Sequence, residues 1–452
     1  MNLLVQELSA LFPTSRGAVD DAIHLSAVMT DSRITLRNSL FVPIVGEQFD
    51  AHDYLGEAIQ NGAVAVLWQK DKHLPYAIPN DFPVFFVEDT VQALQQTAHF
   101  YKSKVAPVVV GITGSNGKTT TKDMTASVLS EAFVVHKTAG NYNNHIGLPL
   151  TLLAMPEDTE VAVLEMGMNN AGEIGTLSKI AEPDYGIITN IGESHIENLG
   201  SREGIAQAKL EIREGMSRDG TLIVDGDEAL LHETGQNVHT IRCGTTPESD
   251  VVITERSPLN QGSHFKIGDK GYFIPLSGNH NIKNASFVIT LAKAMKMSPD
   301  LIEQGLKNIE ITGMRFERIS GKNGSLIIND AYNASPTSMK AVIASLAERQ
   351  EKKKMVLVLG DMYELGSHSK PLHRSVAASI GEEFEAVFTI GEDAKEITDE
   401  LTALNRKIMT RHFDDKEVLT QNLERYLDND TVILVKASRG MKLEEIIEGL
   451  VE

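Results

Sequence analysis

Lys118 and Thr119 stand near the end of a run, Val108-Val-Val-Gly-Ile-Thr-Gly-Ser-Asn-Gly-Lys-Thr-Thr-Thr121, whose residue types suit a phosphate cradle. Glycines let backbone N–H groups turn inward, a lysine sets a cation on terminal phosphates, and the neighbouring hydroxyl can hold Mg²⁺. A helix beginning at Lys118 adds the positive end of its dipole. The spacing departs from G-x-x-x-x-G-K-[ST]: Ile112 stands where the first glycine belongs, and the glycines are Gly111, Gly114 and Gly117. A β-branched strand before the loop and a helix after it supply the context the motif needs, so ATP is expected on Thr113, Gly114, Ser115, Asn116, Gly117, Lys118, Thr119 and Thr120.

Other residues with chemistry sit where strands should end. Glu165 follows the apolar Val161-Ala-Val-Leu164 and can join Thr119 on Mg²⁺, which prefers oxygen ligands. His195 follows another apolar run, and taken alone is equally a hydrogen-bonded loop residue or a ligand. Lys209, in Gly204-Ile-Ala-Gln-Ala-Lys-Leu-Glu211, reads from its helical setting as a surface charge. The turn Gly140-Asn-Tyr-Asn-Asn144 offers neutral donors and acceptors through Asn141; Asn284 begins a helix and can equally be a cap. Asp330, just past a strand, suits ribose hydroxyls or a plain turn. Lys436 and Arg439 after the last strand make a carboxylate or phosphate clamp, or else two solvated charges.

Strands and helices must alternate to place these residues. Such alternation predicts an α/β chain of three domains, at 1–104, 105–313 and 314–452, the central one built on a mostly parallel sheet. Ligands in such sheets bind beyond the carboxyl ends of the strands. Helices are expected over 54–61, 90–101, 118–129 and 373–382, with a link at 102–107 as the first boundary, and 240–275 reads as short strands with turns. The formal charge of −20 argues against nucleic acid or a membrane surface as partner, since both need a basic footprint. With one cysteine, Cys243, the chain has no internal disulfide. No apolar run reaches membrane-span length and the first residues lack a signal-peptide pattern, so a cytoplasmic enzyme is expected.

The loop Thr113-Gly-Ser-Asn-Gly-Lys-Thr119 resembles that of the Mur ligases, and the resemblance extends over the whole chain. Thr30-Asp-Ser-Arg33 with Gly46-Glu47 is similar to the family's N-terminal UDP-binding domain. Thr138-Ala-Gly-Asn-Tyr-Asn-Asn144, Asn329-Asp-Ala-Tyr-Asn-Ala-Ser-Pro336, Gly360-Asp-Met-Tyr-Glu-Leu-Gly366 and Lys436-Ala-Ser-Arg-Gly440 resemble the members that add D-alanyl-D-alanine. The resemblance implies an amide ligase of peptidoglycan synthesis, acting as a monomer, with UDP-N-acetylmuramoyl-tripeptide, D-alanyl-D-alanine and ATP as substrates. It implies a small UDP-binding domain, a P-loop-type ATPase domain and a Rossmann-like C-terminal domain that closes over the centre. It implies Ser32, Arg33, Gly46 and Asn141 on the UDP-substrate, and Asn284, Arg315 and Asp330 around the nucleotide. Tyr332, Asn333, Ser335, Lys436 and Arg439 fall on the dipeptide and acyl-phosphate side. Thr119 and Glu165 would hold one Mg²⁺; Glu165, His195 and a carbamylated Lys209 would hold a second, reversing the surface reading of Lys209. A tripeptide-forming or folate-polyglutamylating ligase of the same family is the alternative.

Overall fold

Val108–Thr113 is almost wholly apolar and β-branched, the pattern of a strand covered on both faces. In the computed structural model, which describes residues 1–232, 238–259, 262–349 and 352–451, it lies inside a nine-stranded sheet. Its neighbours are Val161–Glu165 on one side and Tyr185–Ile188 on the other, both parallel. Strand order therefore reverses at the P-loop strand, the place where open α/β sheets bind ligands. The parallel order continues through Thr221–Asp225, His239–Gly244 and Val251–Leu259, and Gly262–Ile267 and Lys270–Ile274 finish the sheet as antiparallel strands. This matches the short strands expected over 240–275, although 260 and 261 lie outside the described residues.

Helix Lys118–Leu129 leaves the P-loop and buries Met124, Val128 and Leu129 against Phe287, Ile289 and Leu291 of Asn279–Ala294. Each such side chain contributes roughly 1.5–3 kcal/mol on burial, so the cradle stands on a firmly packed base.

A five-stranded sheet precedes the centre, in the order Ser15–Arg16, Val84–Val87, Ala63–Gln69, Ser39–Phe41, Ala27–Met29. The expected helix over 54–61 divides into a 3-10 turn, Ala51–Tyr54, capped by Asp50, and an α-helix, Leu55–Gln60. Helix Thr90–Val105 outruns its expected end and occupies most of the expected 102–107 link. Lys102 and Lys104 complement its C-terminus, and Ala106 stops it in a left-handed conformation at φ 53. Leu94, Ala98 and Tyr101 on this helix share one apolar cluster with Leu148 and Leu152, and the Tyr101 hydroxyl donates to the Met155 carbonyl at 2.8 Å. That helix locks the first sheet to the central one.

The last sheet has six strands, in the order Glu317–Ser320, Leu326–Asn329, Thr431–Lys436, Lys354–Gly360, Ala386–Ile390, Met409–Phe413. All pairs are parallel except the first. The helix expected over 373–382 instead runs Ser369–Val376, and a 3-10 turn, Ala377–Ser379, ends it before Gly381. Among the described residues no helix is long and apolar enough to cross a membrane.

Candidate active site

The P-loop is shaped by the segment that follows the neighbouring strand. Asn190 accepts the Asn116 N–H on its Oδ1 at 3.0 Å and donates from Nδ2 to the Asn116 carbonyl at 3.0 Å. Thr189 Oγ1 donates to the same carbonyl at 2.5 Å, and Ser115 Oγ accepts from Gly192 N at 2.9 Å. Two glycines are required sterically. Gly114 has φ +149, and a Cβ there would lie 1.8 Å from Thr189 Oγ1; Gly117 has φ +79 against the Asn284 amide. The cradle is thus preformed, as an anion site needs to be. Lys118 Nζ donates to the Gly114 carbonyl at 2.9 Å. Desolvation pulls this ammonium below its ordinary pKa, while Glu165 pushes it back up.

Glu165 ends its strand buried, directly beside the loop. Its Oε2 accepts the Thr119 hydroxyl at 2.7 Å and its Oε1 accepts Asn143 Nδ2 at 2.8 Å. Thr119 Oγ1 also accepts Arg315 Nη2 at 2.7 Å, and the Arg315 guanidinium lies 3.9 Å from the centre of the Tyr332 ring. A hydroxyl and a carboxylate side by side fit Mg²⁺, which takes oxygen ligands and completes its shell with water and phosphate. Among the described residues no cluster of three or more His, Cys, Asp or Glu forms a ready-made metal cage. A metal here would lean on phosphate oxygens.

The last sheet faces this centre across a cavity of about 770 Å³. Its walls carry Ser115 to Thr120, Glu165, His195, Asn284, Arg315, Asp330, Tyr332, Asn333 and Lys436. Lys436 is buried, donating to Asp330 Oδ2 at 2.6 Å and to the Asn333 carbonyl at 2.9 Å. Asp330 Oδ1 accepts the Phe316 N–H at 3.0 Å. Ser335 Oγ donates to Asn116 Oδ1 at 3.0 Å, and Thr337 donates to Glu193 Oε2 from Oγ1 at 2.6 Å and from N at 3.2 Å. These bonds join the last domain to the P-loop and its supporting segment.

Lys209 does not lie on the surface: it is 1% exposed. Burial pushes its amine far below the ordinary lysine pKa, and the Lys118 charge adds to the shift. His195 opens on the cavity, with Glu364 Oε2 2.5 Å from its Nδ1. That contact holds the Glu364 carboxyl below its usual pKa. Lys436 and Arg439, read together from the sequence, separate in space. Arg439 is exposed, pairs with Glu444 at 2.6 Å, and is not among the cavity's lining residues. On the expected UDP side, Ser32 donates to Glu57 Oε2 at 2.6 Å, and exposed Arg33 pairs with Asp31 at 2.7 Å. Gly46 donates to the Phe49 carbonyl, and Asn141 is exposed beside Tyr142. Asp31 and Tyr142 line a second cavity of about 460 Å³ between the first and central sheets.

Sequence reasoning missed Asn143, Asn190, Glu193 and Glu364. Asn143 was legible as a further amide of the turn that carries Asn141. The others make contacts between segments far apart in the chain. It also missed a charged wall of the cavity, where Lys283 bridges Asp225 and Asp227 at 2.8 Å each. Burial raises the Asp225 pKa there, and the Lys283 and Thr245 contacts lower that of Asp227 in spite of its own desolvation.

A preformed phosphate loop facing a second α/β domain across one cavity defines a class of nucleotide-dependent multidomain proteins. Residues 112–292 match the Mur ligase middle domain and residues 314–439 the Mur ligase glutamate ligase domain. The chain belongs to the Mur ligase family. It is 46% identical over 431 residues to the UDP-N-acetylmuramoyl-tripeptide–D-alanyl-D-alanine ligase of Bacillus subtilis (strain 168), covering 95% of this chain and 93% of the relative. Among solved structures it is similar to MurF from Acinetobacter baumannii, with a TM-score of 0.89, 29% identity and coverage of 99% and 98%. It is also similar to MurF from Thermotoga maritima in complex with ADP, with a TM-score of 0.82, 29% identity and coverage of 94% and 96%.

Proposed function

We propose that the protein is an ATP-dependent amide ligase that joins D-alanyl-D-alanine to UDP-N-acetylmuramoyl-tripeptide through an acyl phosphate, acting in the cytoplasm in peptidoglycan precursor synthesis. The observation that carries this is the single cavity shared by the P-loop, the Thr119–Glu165 pair and the Asp330–Lys436 pair of the last domain. A relative matched over 95% of this chain and 93% of its own length bears the name of that activity.

The chain's residues divide the work. The loop amides and Lys118 hold the ATP phosphates, and Asn284, Arg315 and Asp330 hold the rest of the nucleotide. The tripeptide carboxylate and the γ-phosphoryl group are both anionic, so cationic side chains must offset their repulsion as they meet. Thr119 and Glu165 would hold one Mg²⁺, and Glu165, His195 and the carbamylated Lys209 a second, and the ions would supply charge neutralisation when bound. Burial, with the Lys118 charge beside it, lowers the Lys209 pKa and so favours the neutral amine, the form that can take up CO₂ as a carbamate; this is the support for the modification. Ser32, Arg33, Gly46 and Asn141 are proposed to hold the UDP-substrate. Tyr332, Asn333, Ser335, Lys436 and Arg439 are proposed to line the dipeptide and acyl-phosphate side. The domain-joining bonds at Asn116 and Glu193 would help exclude water from the acyl phosphate.

The test is phosphate release from ATP and Mg²⁺ with UDP-N-acetylmuramoyl-tripeptide, with and without D-alanyl-D-alanine. Release should require the dipeptide and match the amide formed. Release indifferent to the dipeptide, or equal turnover with glutamate or a diamino acid, would overturn this assignment.

A further inference from the structure

His195 and Glu364 meet across the two domains, and both hold left-handed backbone, at φ 65 and φ 63. Such a conformation is strained for a non-glycine residue and persists only where the surroundings enforce it. The surroundings here are explicit. Glu364 Oε2 lies 2.5 Å from His195 Nδ1, a close contact off the axis of a ring N–H bond. The Glu364 carbonyl accepts the Glu197 N–H at 3.3 Å, and Gly366, at φ 52, rests on the Glu197 side chain.

The loop bearing Glu364 is fixed within its own domain. Met362 N–H donates to Nε2 of fully buried His373 at 2.9 Å, while His373 Nδ1 lies 2.8 Å from the Ser369 carbonyl. The tautomer protonated at Nδ1 satisfies both bonds. Tyr363 N–H donates to Ser438 Oγ at 2.9 Å. On the central side, His195 follows Gly192 and Glu193, which bond to Ser115 of the P-loop and to Thr337 of the last domain. The histidine is therefore held on one side by the phosphate loop and on the other by a rigid loop of the docked domain.

We propose that Glu364 is a positioning residue: its carboxylate, delivered by the docked last domain, engages Nδ1 of His195 and leaves Nε2 as the nitrogen available to a divalent cation. A histidine whose ring is oriented through one nitrogen is a better ligand through the other. This rests on the proposed reading of His195 as a metal ligand, and it makes assembly of that ligand depend on domain docking. The Mg²⁺ corner at Thr119 and Glu165 needs no such help, since both residues belong to the central domain.

The test uses the full chain with a non-hydrolysable ATP analogue, and Mn²⁺ binding followed by electron paramagnetic resonance. Glu364→Ala should weaken Mn²⁺ binding about tenfold or more, and Glu364→Gln, which keeps an acceptor oxygen, should lose less. The double variant Glu364→Ala/His195→Ala should bind Mn²⁺ no more weakly than His195→Ala alone, because the two residues act as one unit. In turnover, kcat should fall while KM for ATP holds. Mn²⁺ affinity within twofold of wild type in Glu364→Ala, or losses that add in the double variant, would overturn the proposal. If Glu364→Ala melts early, Glu364→Gln carries the same comparison. Metal binding is read without ligation, so a wild-type chain that fails to join its substrates would sink the functional reading and leave this one still decided by Mn²⁺.

Discussion

Replacing Lys209 by methionine should make the protein more stable and almost inactive at once. The side chain is 1% exposed, and its amine is pushed far below the ordinary lysine pKa by burial and by Lys118. Methionine keeps nearly the same length and volume, a swap of the kind that costs under about 1.5 kcal/mol in packing. Removing a buried polar group gains about 1–3 kcal/mol on protein scales. The net expectation is a gain of about 1 kcal/mol in CO₂-free buffer, or a rise of roughly 2–4 °C in the melting midpoint of the domain. The sign of the pH dependence follows from the same shift. Between the depressed folded pKa of Lys209 and the unfolded value near about 10.4, the unfolded chain holds a proton that the folded chain lacks. This residue therefore makes wild-type stability rise with pH across that window, and fall again toward the folded value. The Lys209→Met chain should lack that contribution. Activity should drop at least about a hundredfold, equivalent to about 2.7 kcal/mol of transition-state stabilisation. Calorimetry over a pH series, the phosphate-release assay and ¹³C NMR with labelled bicarbonate read the three effects. A carbamate resonance should appear in wild type and vanish in the variant. Full activity in Lys209→Met would refute the carbamate; lower stability at every pH would refute the account of its burial.

Gly114→Ala puts a Cβ 1.8 Å from Thr189 Oγ1, so the loop must distort. ADP affinity by calorimetry should fall by more than about tenfold, equivalent to about 1.4 kcal/mol, and an unchanged affinity would show that the cradle tolerates a shifted Thr189. Arg315→Lys keeps the charge but gives up the planar stack on Tyr332 and the aimed bond to Thr119. Nucleotide affinity should fall roughly threefold to thirtyfold, the range of a partly desolvated cation–π contact, as measured by fluorescence titration. The Cys243 thiol, buried and pushed up to about 12 by desolvation, should resist disulfide reagents at about pH 8 in the folded chain. It should react promptly in denaturant, and rapid labelling of the native protein would contradict its burial.

The nucleotide side of the site was legible because its signals are local. A β-branched strand, a glycine loop and a helix start follow one another in the chain, and Glu165 ends its own apolar run. Lys209 shows a signal that was present and outweighed. A charged side chain suggests solvent, yet Ile205 and Ala206 stand four and three positions before it on the helix, and both are buried. That spacing put position 209 on the buried face. Helix Gly147–Leu153 was hidden by Pro149, which is harmless in a first turn because no intrahelical donor is needed there. The pairs Glu193–Thr337 and His195–Glu364 had no signal in sequence. Their members lie far apart in the chain and meet only once two sheets are docked, and no period or motif encodes a docking angle.

The two docked sheets explain why the chemistry gathers where it does. The P-loop follows Val108–Thr113, Glu165 ends Val161–Glu165, Asp330 follows Leu326–Asn329, and Lys436 ends Thr431–Lys436. Both sheets thus present the carboxyl ends of parallel strands, the edge where backbone and side chains are free to hold ligands, to one cavity. A single sheet could bind ATP and cleave it, because water reaches an open edge. A second sheet whose edge covers the first can bring another acceptor and displace that water. The bonds at Asn116 and Glu193 and the contact between His195 and Glu364 run from one edge to the other, so the P-loop and its supporting segment also register whether the second domain is in place. A phosphate loop wired in this way favours transfer to a docked substrate over loss to solvent, which is the distinction between a ligase and an ATPase.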